Sequence, residues 1–172
     1  LENHNQCEDK ILEFSNASDD LTTATRHFVA TGDPIYMNQY WQEADVFRHR
    51  EDAVASLNAL GISTEEQTLL SKAMDASNRL MKTETLAMRL KADAVGIPEN
   101  EMPSEVAAYI YKNGEEGSSP EEKEQLLSEV SLIIPMKTRK KKSQTIWQGS
   151  ETSCTIEKPV RTLSLTERLS VR

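Results

Sequence analysis

The fold of this chain is decided by the stretch Ser18-Asp-Asp-Leu-Thr-Thr-Ala-Thr-Arg-His-Phe-Val-Ala-Thr-Gly-Asp-Pro-Ile-Tyr-Met-Asn-Gln-Tyr-Trp41. The stretch reads as the end of one helix, a tight turn and the start of a second helix. Gly32 can adopt the left-handed conformation at a helix C-terminus, Asp33 can cap the next helix, and Pro34 suits its first position. Two helices joined this closely must pack along their lengths, antiparallel to each other.

Apolar residues in and around this stretch recur in steps that sum to seven, which predicts helices with a heptad seam. We predict one helix from near the N-terminus to about Thr31 and a second from about Pro34 to Leu60, which Gly61 ends. The seam of the first helix is Ile11, Phe14, Ser18, Leu21, Thr25 and Phe28. The seam of the second helix is Tyr40, Ala44, Phe47, Val54 and Leu57.

Two capping boxes, each a hydroxyl followed three residues later by a carboxylate, open two further helices. The box at 63–66 opens a third helix that runs to about Ala94, and the box at 119–122 opens a fourth after a connector with a short helical piece. The seam of the third helix is Leu69, Ala73, Ala76, Leu80, Thr83, Ala87, Leu90 and Ala94. Three long helices and a shorter one predict an all-α antiparallel four-helix bundle, with the fourth helix truncated or scrambled.

The composition suits long helices with a narrow apolar seam better than a compact α/β enzyme, because apolar residues make up 37% of the chain and charged residues 28%. No run of about 18 apolar residues occurs, so we expect no transmembrane helix within the chain. Residues 1–129 carry 11 Lys and Arg against 25 Asp and Glu. This acidic balance argues against nucleic acid as a partner.

The periodic pattern ends near Val130, where the charge changes sign. Residues 130–172 carry 9 Lys and Arg against 3 Asp and Glu, with no sustained period. We predict a helical-bundle domain at 1–129 and a basic tail at 130–172 that is either disordered or out of frame. The second alternative is supported by the codons that could encode this segment. When suitable codons are read one base earlier, they encode an amphipathic, helix-like sequence.

Two segments of the chain contain a set of residues that is distinctive in its combined order and spacing, although no single residue is specific by itself. The first comprises Ser18, Leu21, Thr22, Arg26, Phe28, Val29, Thr31, Gly32, Asp33, Tyr36, Tyr40 and Trp41. The second comprises Arg50, Glu51, Ala53, Leu57, Leu60, Gly61, Glu65, Glu66, Leu69, Leu70, Ser77, Leu80, Glu84, Ala87 and Met88. The pattern resembles the extracytoplasmic sensor regions of bacterial chemoreceptors, hybrid histidine kinases and diguanylate cyclases. The closing segment of that family appears here only in the shifted frame.

This resemblance implies a four-helix-bundle sensor domain between two transmembrane helices, in the periplasm or outside the cell. Such a domain binds a small-molecule ligand, forms homodimers through its helices and signals to a cytoplasmic output domain. We interpret the chain as a fragment of a membrane-anchored receptor, since it begins within helical sequence and without Met. The alternative is a soluble helical scaffold or adaptor that binds partner helices.

The residues that carry chemistry show no catalytic, metal or cofactor pattern. His4, His27 and His49 lack the spacing of a zinc site, and Cys7 and Cys154 lack a metal or redox spacing. No phosphate loop and no nucleophile motif occurs. We therefore expect this fragment to have no enzyme activity, no cofactor and no metal.

Arg26 and three aromatic residues form the first candidate ligand site. Arg26 lies one turn before the loop, where its guanidinium can bind a ligand carboxylate, form an ion pair with an acid such as Glu43, or remain solvated. Tyr36, Tyr40 and Trp41 can form an aromatic wall for a ligand or pack over the preceding loop.

Ser77 and Glu84 form the second candidate site. They lie seven residues apart on one side of the third helix. Polar residues at such positions either form a layer that sets the register of the bundle or belong to a ligand site.

Overall fold

The computed structural model describes residues 2–112 and 119–133, and this part of the chain is all-α, as the sequence predicts. No strand occurs within it. A π-helix lies at Gln42–Phe47 and a 3-10 turn at Glu99–Glu101. The α-helices are α1 (Glu2–Thr31), α2 (Ile35–Trp41), α3 (His49–Ala59), α4 (Thr64–Val95), α5 (Ser104–Ala107) and α6 (Pro120–Ile133).

Both predicted helix breaks are confirmed. Gly32 has a left-handed φ of 72° and follows the end of α1, and the Asp33 carboxylate accepts a hydrogen bond from the Ile35 N–H (3.0 Å). Before α4, the Ser63 hydroxyl accepts from the Glu66 N–H (3.3 Å), and the Glu66 carboxylate accepts from the Ser63 N–H (2.7 Å). The capping box therefore begins α4 where the sequence predicts it.

The prediction of one continuous second helix is wrong. At Gln42–Phe47 the backbone forms a π-helix, and the Arg48 N–H donates to the carbonyl of Glu43, five residues earlier (2.8 Å). Arg48 itself is left-handed, with a φ of 54°, and α3 begins directly after it. Phe47, predicted in the seam, is 53% exposed, whereas Arg50 is only 2% exposed. The physical cause is local: the wider turn and the left-handed residue interrupt the helix around Phe47, whereas the later seam residues Val54 and Leu57 pack in the core as predicted.

Arg48→Gly is expected to raise the free energy of unfolding by about 1 kcal/mol. A left-handed residue with a Cβ costs roughly 1–2 kcal/mol, and glycine avoids most of that cost. Urea denaturation followed by circular dichroism measures the change. Arg48→Ala is the matched control, since it removes the same charge but keeps the Cβ, and it should not stabilise the protein. Equal stabilisation by both variants would assign the effect to the charge instead of the backbone.

α1 lies at the centre of the fold and packs against α2, α3 and α4. α4 runs parallel to α1, since Gly32 just after α1 lies beside Val95 at the end of α4. α6 packs against the C-terminal half of α4 in the opposite direction: Lys123 lies 3.6 Å from Asp93, and Leu127 packs further down α4. α3 contacts α4 only sparsely. The spatial order is therefore α3, α1, α4 and α6.

Three apolar clusters form the core of this part of the chain. The lower cluster lies where α3 ends and α4 begins, and consists of Cys7, Leu57, Ile62 and Leu70. The upper cluster lies at the opposite end and consists of Leu21, Ala24, Phe28, Met37, Tyr40, Ala44, Met88, Ala92, Met102 and Val106. The side cluster lies between α4 and α6 and consists of Ala87, Leu90 and Leu127. The predicted seam of the third helix is thus fully buried only where α6 covers it.

The connector and the fourth helix agree with the predictions in part. The connector holds α5 and a 3-10 turn where the sequence predicts a short helical piece. Ser119 accepts a hydrogen bond from the Glu122 N–H (3.2 Å), as predicted for the start of α6. α6 extends a little past the predicted domain boundary, to Ile133. Residues 113–118 and the remainder of the predicted tail, 134–172, lie outside the described residues.

Candidate functional site

A polar core lies between the lower and upper clusters, and its first level is centred on Arg50 of α3. The Arg50 side chain is almost fully buried, and it donates from Nη1 to the Ser77 hydroxyl of α4 (2.7 Å) and from Nη2 to the Glu51 carboxylate (3.0 Å). The Ser77 hydroxyl lies 3.4 Å from the hydroxyl of Ser18 on α1. This level therefore joins α1, α3 and α4 through polar contacts in the middle of the fold.

The second level of the polar core is centred on Glu84 of α4, which is 1% exposed. Its carboxylate accepts hydrogen bonds from the Thr22 hydroxyl of α1 (2.7 Å) and the Tyr40 hydroxyl of α2 (2.9 Å). Both bonds have the direction that an ionised carboxylate needs, since it has no proton to donate. A buried charge without such bonds is strongly unfavourable, so these three residues form one unit.

Burial dominates the electrostatics of the second level. It raises the pKa of the Glu84 carboxyl above its ordinary value, although the bonds from Thr22 and Tyr40 and the charges of Arg50 and Arg26 act in the opposite direction. Burial, and then the charge of Glu84, also raise the pKa of the Tyr40 hydroxyl. Tyr40 therefore stays protonated as a donor, while Glu84 takes up a proton more readily than an exposed glutamate does.

The predicted aromatic residues pack against the upper cluster. Tyr36 contacts His27 of α1 edge to face, with ring centroids 5.0 Å apart. Trp41 contacts Tyr40 in the same way, also at 5.0 Å. Tyr36 and Trp41 are half-buried, whereas Tyr40 is fully buried and belongs to the polar core through its hydroxyl. The ring contacts of Tyr36 and Trp41 are packing contacts around the first turn.

Glu43, which the sequence suggests as an ion-pair partner for Arg26, bonds to His49. The Glu43 carboxylate accepts from the His49 backbone N–H (3.1 Å) and lies 2.8 Å from its ring Nδ1. Arg26 is half-buried on α1, one turn after Thr22, and its charge favours the ionised form of Glu84. Arg26 therefore acts electrostatically on the polar core.

Sequence reasoning named Ser77, Glu84 and Tyr40 as candidate site residues but did not name four other members of the polar core: Ser18, Thr22, Arg50 and Glu51. Thr22 carries a usable signal, because it follows Ser18 by one helical turn and so shares a face with it. Arg50 shares a helix face with Val54 and Leu57 of the predicted seam, but its charge gave no reason to expect burial, since arginine is seldom fully buried unless it is paired.

His49 is expected to make stability depend weakly on pH. The bond to Glu43 raises the pKa of the His49 imidazole. Its stabilising contribution is therefore fully present below about pH 6.5, the ordinary pKa of histidine, and is lost as the pH rises through the higher folded value. His49→Gln should remove this part of the pH dependence of the melting temperature. His27→Gln is the matched control, and an equal loss in that variant would contradict the assignment to His49.

Neither a cluster of metal-ligating side chains nor a membrane-spanning helix occurs among the described residues. Among them, no three His, Cys, Asp or Glu side chains lie close enough together to hold a metal ion. In residues 2–112 and 119–133, no helix has both the length and the apolar character needed to cross a bilayer. A scan against protein-family models, a search of the curated proteins and a search of the solved structures each found no match.

Proposed function

We propose that this chain is the extracytoplasmic sensor module of a bacterial transmembrane receptor, such as a chemoreceptor or a sensor histidine kinase. The observation that carries the proposal is the polar core. Ser18, Thr22 and Tyr40 belong to the first segment that resembles such receptors, and Ser77 and Glu84 belong to the second. In each of the two hydrogen-bonded levels, residues of the first segment contact residues of the second. These contacts support a structural role for the pattern in addition to reversing the chain direction.

A polar core of this kind suits the transmission of a conformational signal. Hydrogen bonds hold only over a narrow range of distances, so helices joined by them have discrete packings. A ligand that binds one packing better than another shifts the population toward it. α4 is bonded to α1, α2 and α3 through the polar core. In our proposal a small displacement of α4 therefore affects all three helices at once.

The complete module, in this proposal, is an antiparallel four-helix bundle made of α1, the α2–α3 pair, α4 and α6. The packing of α6 against α4 supports this architecture. We further propose that the module forms homodimers through its helices and binds a small molecule. Its parent protein is anchored in the membrane and carries an output domain on the cytoplasmic side.

Sequencing the parent gene through both ends of this chain tests the proposal. We expect an apolar stretch of about 20 residues on each side, long enough to span a bilayer, and a cytoplasmic output domain beyond one of them. The same experiment establishes the reading frame of residues 130–172. A continuation without membrane helices would contradict the sensor assignment and favour the alternative, a helical scaffold that binds partner helices.

A further inference from the structure

The seam of α4 is covered by α6 only in its C-terminal half. Ala87 and Leu90 are 0% exposed and pack with Leu127 of α6. The seam residues that lie one to three heptads earlier in α4 are only half-buried: Leu69, Ala73, Ala76, Leu80 and Thr83. A seam with one regular period therefore loses its cover toward the start of α4.

α1 forms the second wall of this uncovered surface. Val29 of α1 packs against the side cluster, so α6 lies beside α1 as well as α4. Ser15 lies two heptads before Val29, on the same side of α1, and is exposed. Leu12, one turn before Ser15, is 53% exposed. The line of α6 thus continues as an open cleft between α1 and the N-terminal half of α4.

The contacts of α6 with α4 set the register along this cleft. Lys123 lies 3.6 Å from Asp93. One heptad later in α6, Val130 packs against the same cluster as Leu86, which lies one heptad earlier in α4. Because the two helices are antiparallel, the next heptads place position 137 opposite Arg79 and position 144 opposite Lys72. Both cations are exposed, so a helix that fills the cleft needs acidic side chains along this edge.

In the frame of this sequence, residues 134–150 do not meet that requirement. Pro135 comes two residues after α6 ends and would interrupt a continuing helix. Lys137 would face Arg79, and like charges repel. Residues 136–142 carry five Lys and Arg and no Asp or Glu, so the repulsion would extend along the edge.

The frame one base earlier supplies the acid that the cleft requires. Methionine has the single codon ATG, and lysine has AAA or AAG. Read one base earlier, the codons of Met136 and Lys137 therefore contain GAA, which encodes glutamate in place of Lys137. Consecutive lysine codons read in this way encode only lysine or glutamate. With the isoleucine codons ATT or ATA before it, Pro135 is replaced by serine or threonine, which do not interrupt a helix.

We propose that the cleft binds the second half of the fourth helix, encoded one base earlier by codons 134–150. Its apolar side chains pack on the half-buried seam of α4, where Ala73 and Ala76 permit close approach, and its glutamate pairs with Arg79. The inference goes beyond the sensor assignment, because it names the segment that closes the bundle whatever the bundle senses. A second copy suits the cleft less well, since an antiparallel α4 would bring Lys72 and Arg79 of both chains together.

Two peptides made from the same nucleotides test this inference. Both are translated from codons 134–150 of the gene, one in the frame of this sequence and one a base earlier. Thermal unfolding of the whole chain is followed by circular dichroism with each peptide added. We expect the shifted-frame peptide to raise the melting temperature as its concentration increases and the other peptide to have no effect. No rise, an equal rise with both peptides, or a stop codon in the shifted frame would overturn the proposal.

Three variants locate the peptide. Ala76→Arg should abolish the rise, because it places a long charged side chain on the half-buried seam. Asn78→Arg is the matched control, since Asn78 is exposed on the opposite face of α4, and the rise should persist. Arg79→Glu should weaken binding about tenfold, because an attraction of up to about 1 kcal/mol becomes a repulsion. A rise that persists in Ala76→Arg would place the peptide elsewhere and reject the cleft.

Sedimentation of the whole chain tests the competing occupant. A dimer that becomes monomeric in Ala76→Arg but not in Asn78→Arg would assign the cleft to a second copy and overturn the proposal. The sensor assignment fails separately, because it depends on membrane helices on either side of this chain. A peptide-induced rise in a chain whose gene lacks those helices would retain the cleft and reject the sensor.

Discussion

Replacing Tyr40 by alanine is expected to lower the free energy of unfolding by about 3–5 kcal/mol, the range for removing a large aromatic side chain from a core. The Tyr40 ring is 0% exposed and packs in the upper cluster. Its hydroxyl is also one of the two donors that the buried Glu84 carboxylate accepts from. The substitution therefore leaves a cavity and an under-bonded charge at the same place.

Tyr40→Phe separates the two contributions. The ring remains and the donor is lost, so a decrease of about 1–3 kcal/mol is expected from the unsatisfied carboxylate. Urea denaturation of both variants gives the values. Tyr36→Phe is the matched control, because Tyr36 is half-buried in the same helix, and a surface-like change stays within about 0.5 kcal/mol. If Tyr40→Phe were as stable as the parent chain, the bond to Glu84 would contribute nothing to the fold.

Glu84→Gln is expected to raise the free energy of unfolding at neutral pH. Burial raises the pKa of the Glu84 carboxyl despite its hydrogen bonds and the nearby arginines. The folded protein therefore disfavours the ionised form relative to the unfolded chain. Each unit of such a shift corresponds to about 1.4 kcal/mol. Glutamine has the shape of the protonated carboxyl group and avoids this penalty.

The sign of the pH dependence follows from the same shift. A carboxyl group whose folded pKa is raised stabilises the fold fully below its unfolded pKa, about 4.3 for glutamate, and this contribution is lost as the pH rises through the folded value. The difference in unfolding free energy between Glu84→Gln and the parent chain should therefore grow as the pH rises from about 4.3. Glu65→Gln, at an exposed position of the same helix, is the control and should show no such growth. A constant difference across this range would refute the assignment to Glu84.

The helix ends could be predicted because the residues that determine them act locally. A glycine can adopt a positive φ, and an aspartate or serine can bond to N–H groups two or three residues later, whatever the rest of the fold does. Gly32, Asp33 and Ser63 therefore act as predicted. The all-α class follows from the seven-residue period, which requires no knowledge of how the helices pack.

The break between α2 and α3 could not be predicted in this way. A seven-residue pattern assumes that every N–H bonds to the carbonyl four residues earlier. The stretch Gln42–Phe47 contains neither glycine nor proline, so its sequence does not indicate a departure from the α-helix. The carboxylate of Glu43 bonds to the first N–H of α3, a contact that becomes visible only in three dimensions. The same reason explains why Phe47, assigned to the core, is exposed. Arg50 was not assigned to the core because a charged side chain is seldom fully buried.

The candidate site could be predicted only where it lies on uninterrupted helix. Ser77 and Glu84 are seven residues apart in α4, and both enter the polar core, as one side of a regular helix requires. Their ligand role, and that of Arg26, Tyr36 and Trp41, stays a prediction.

The two contacts between α1 and α4 have a mechanical consequence. Ser18 with Ser77 and Thr22 with Glu84 join the helices at 3.4 and 2.7 Å. Sliding α4 along α1 by half a turn, about 2.7 Å, would stretch even the shorter contact to about 3.8 Å, beyond the reach of a hydrogen bond. Both contacts are then lost together, so α4 does not slide along α1 in small steps. The pair therefore resists small axial displacements and, under a larger force, moves to a new position in one step.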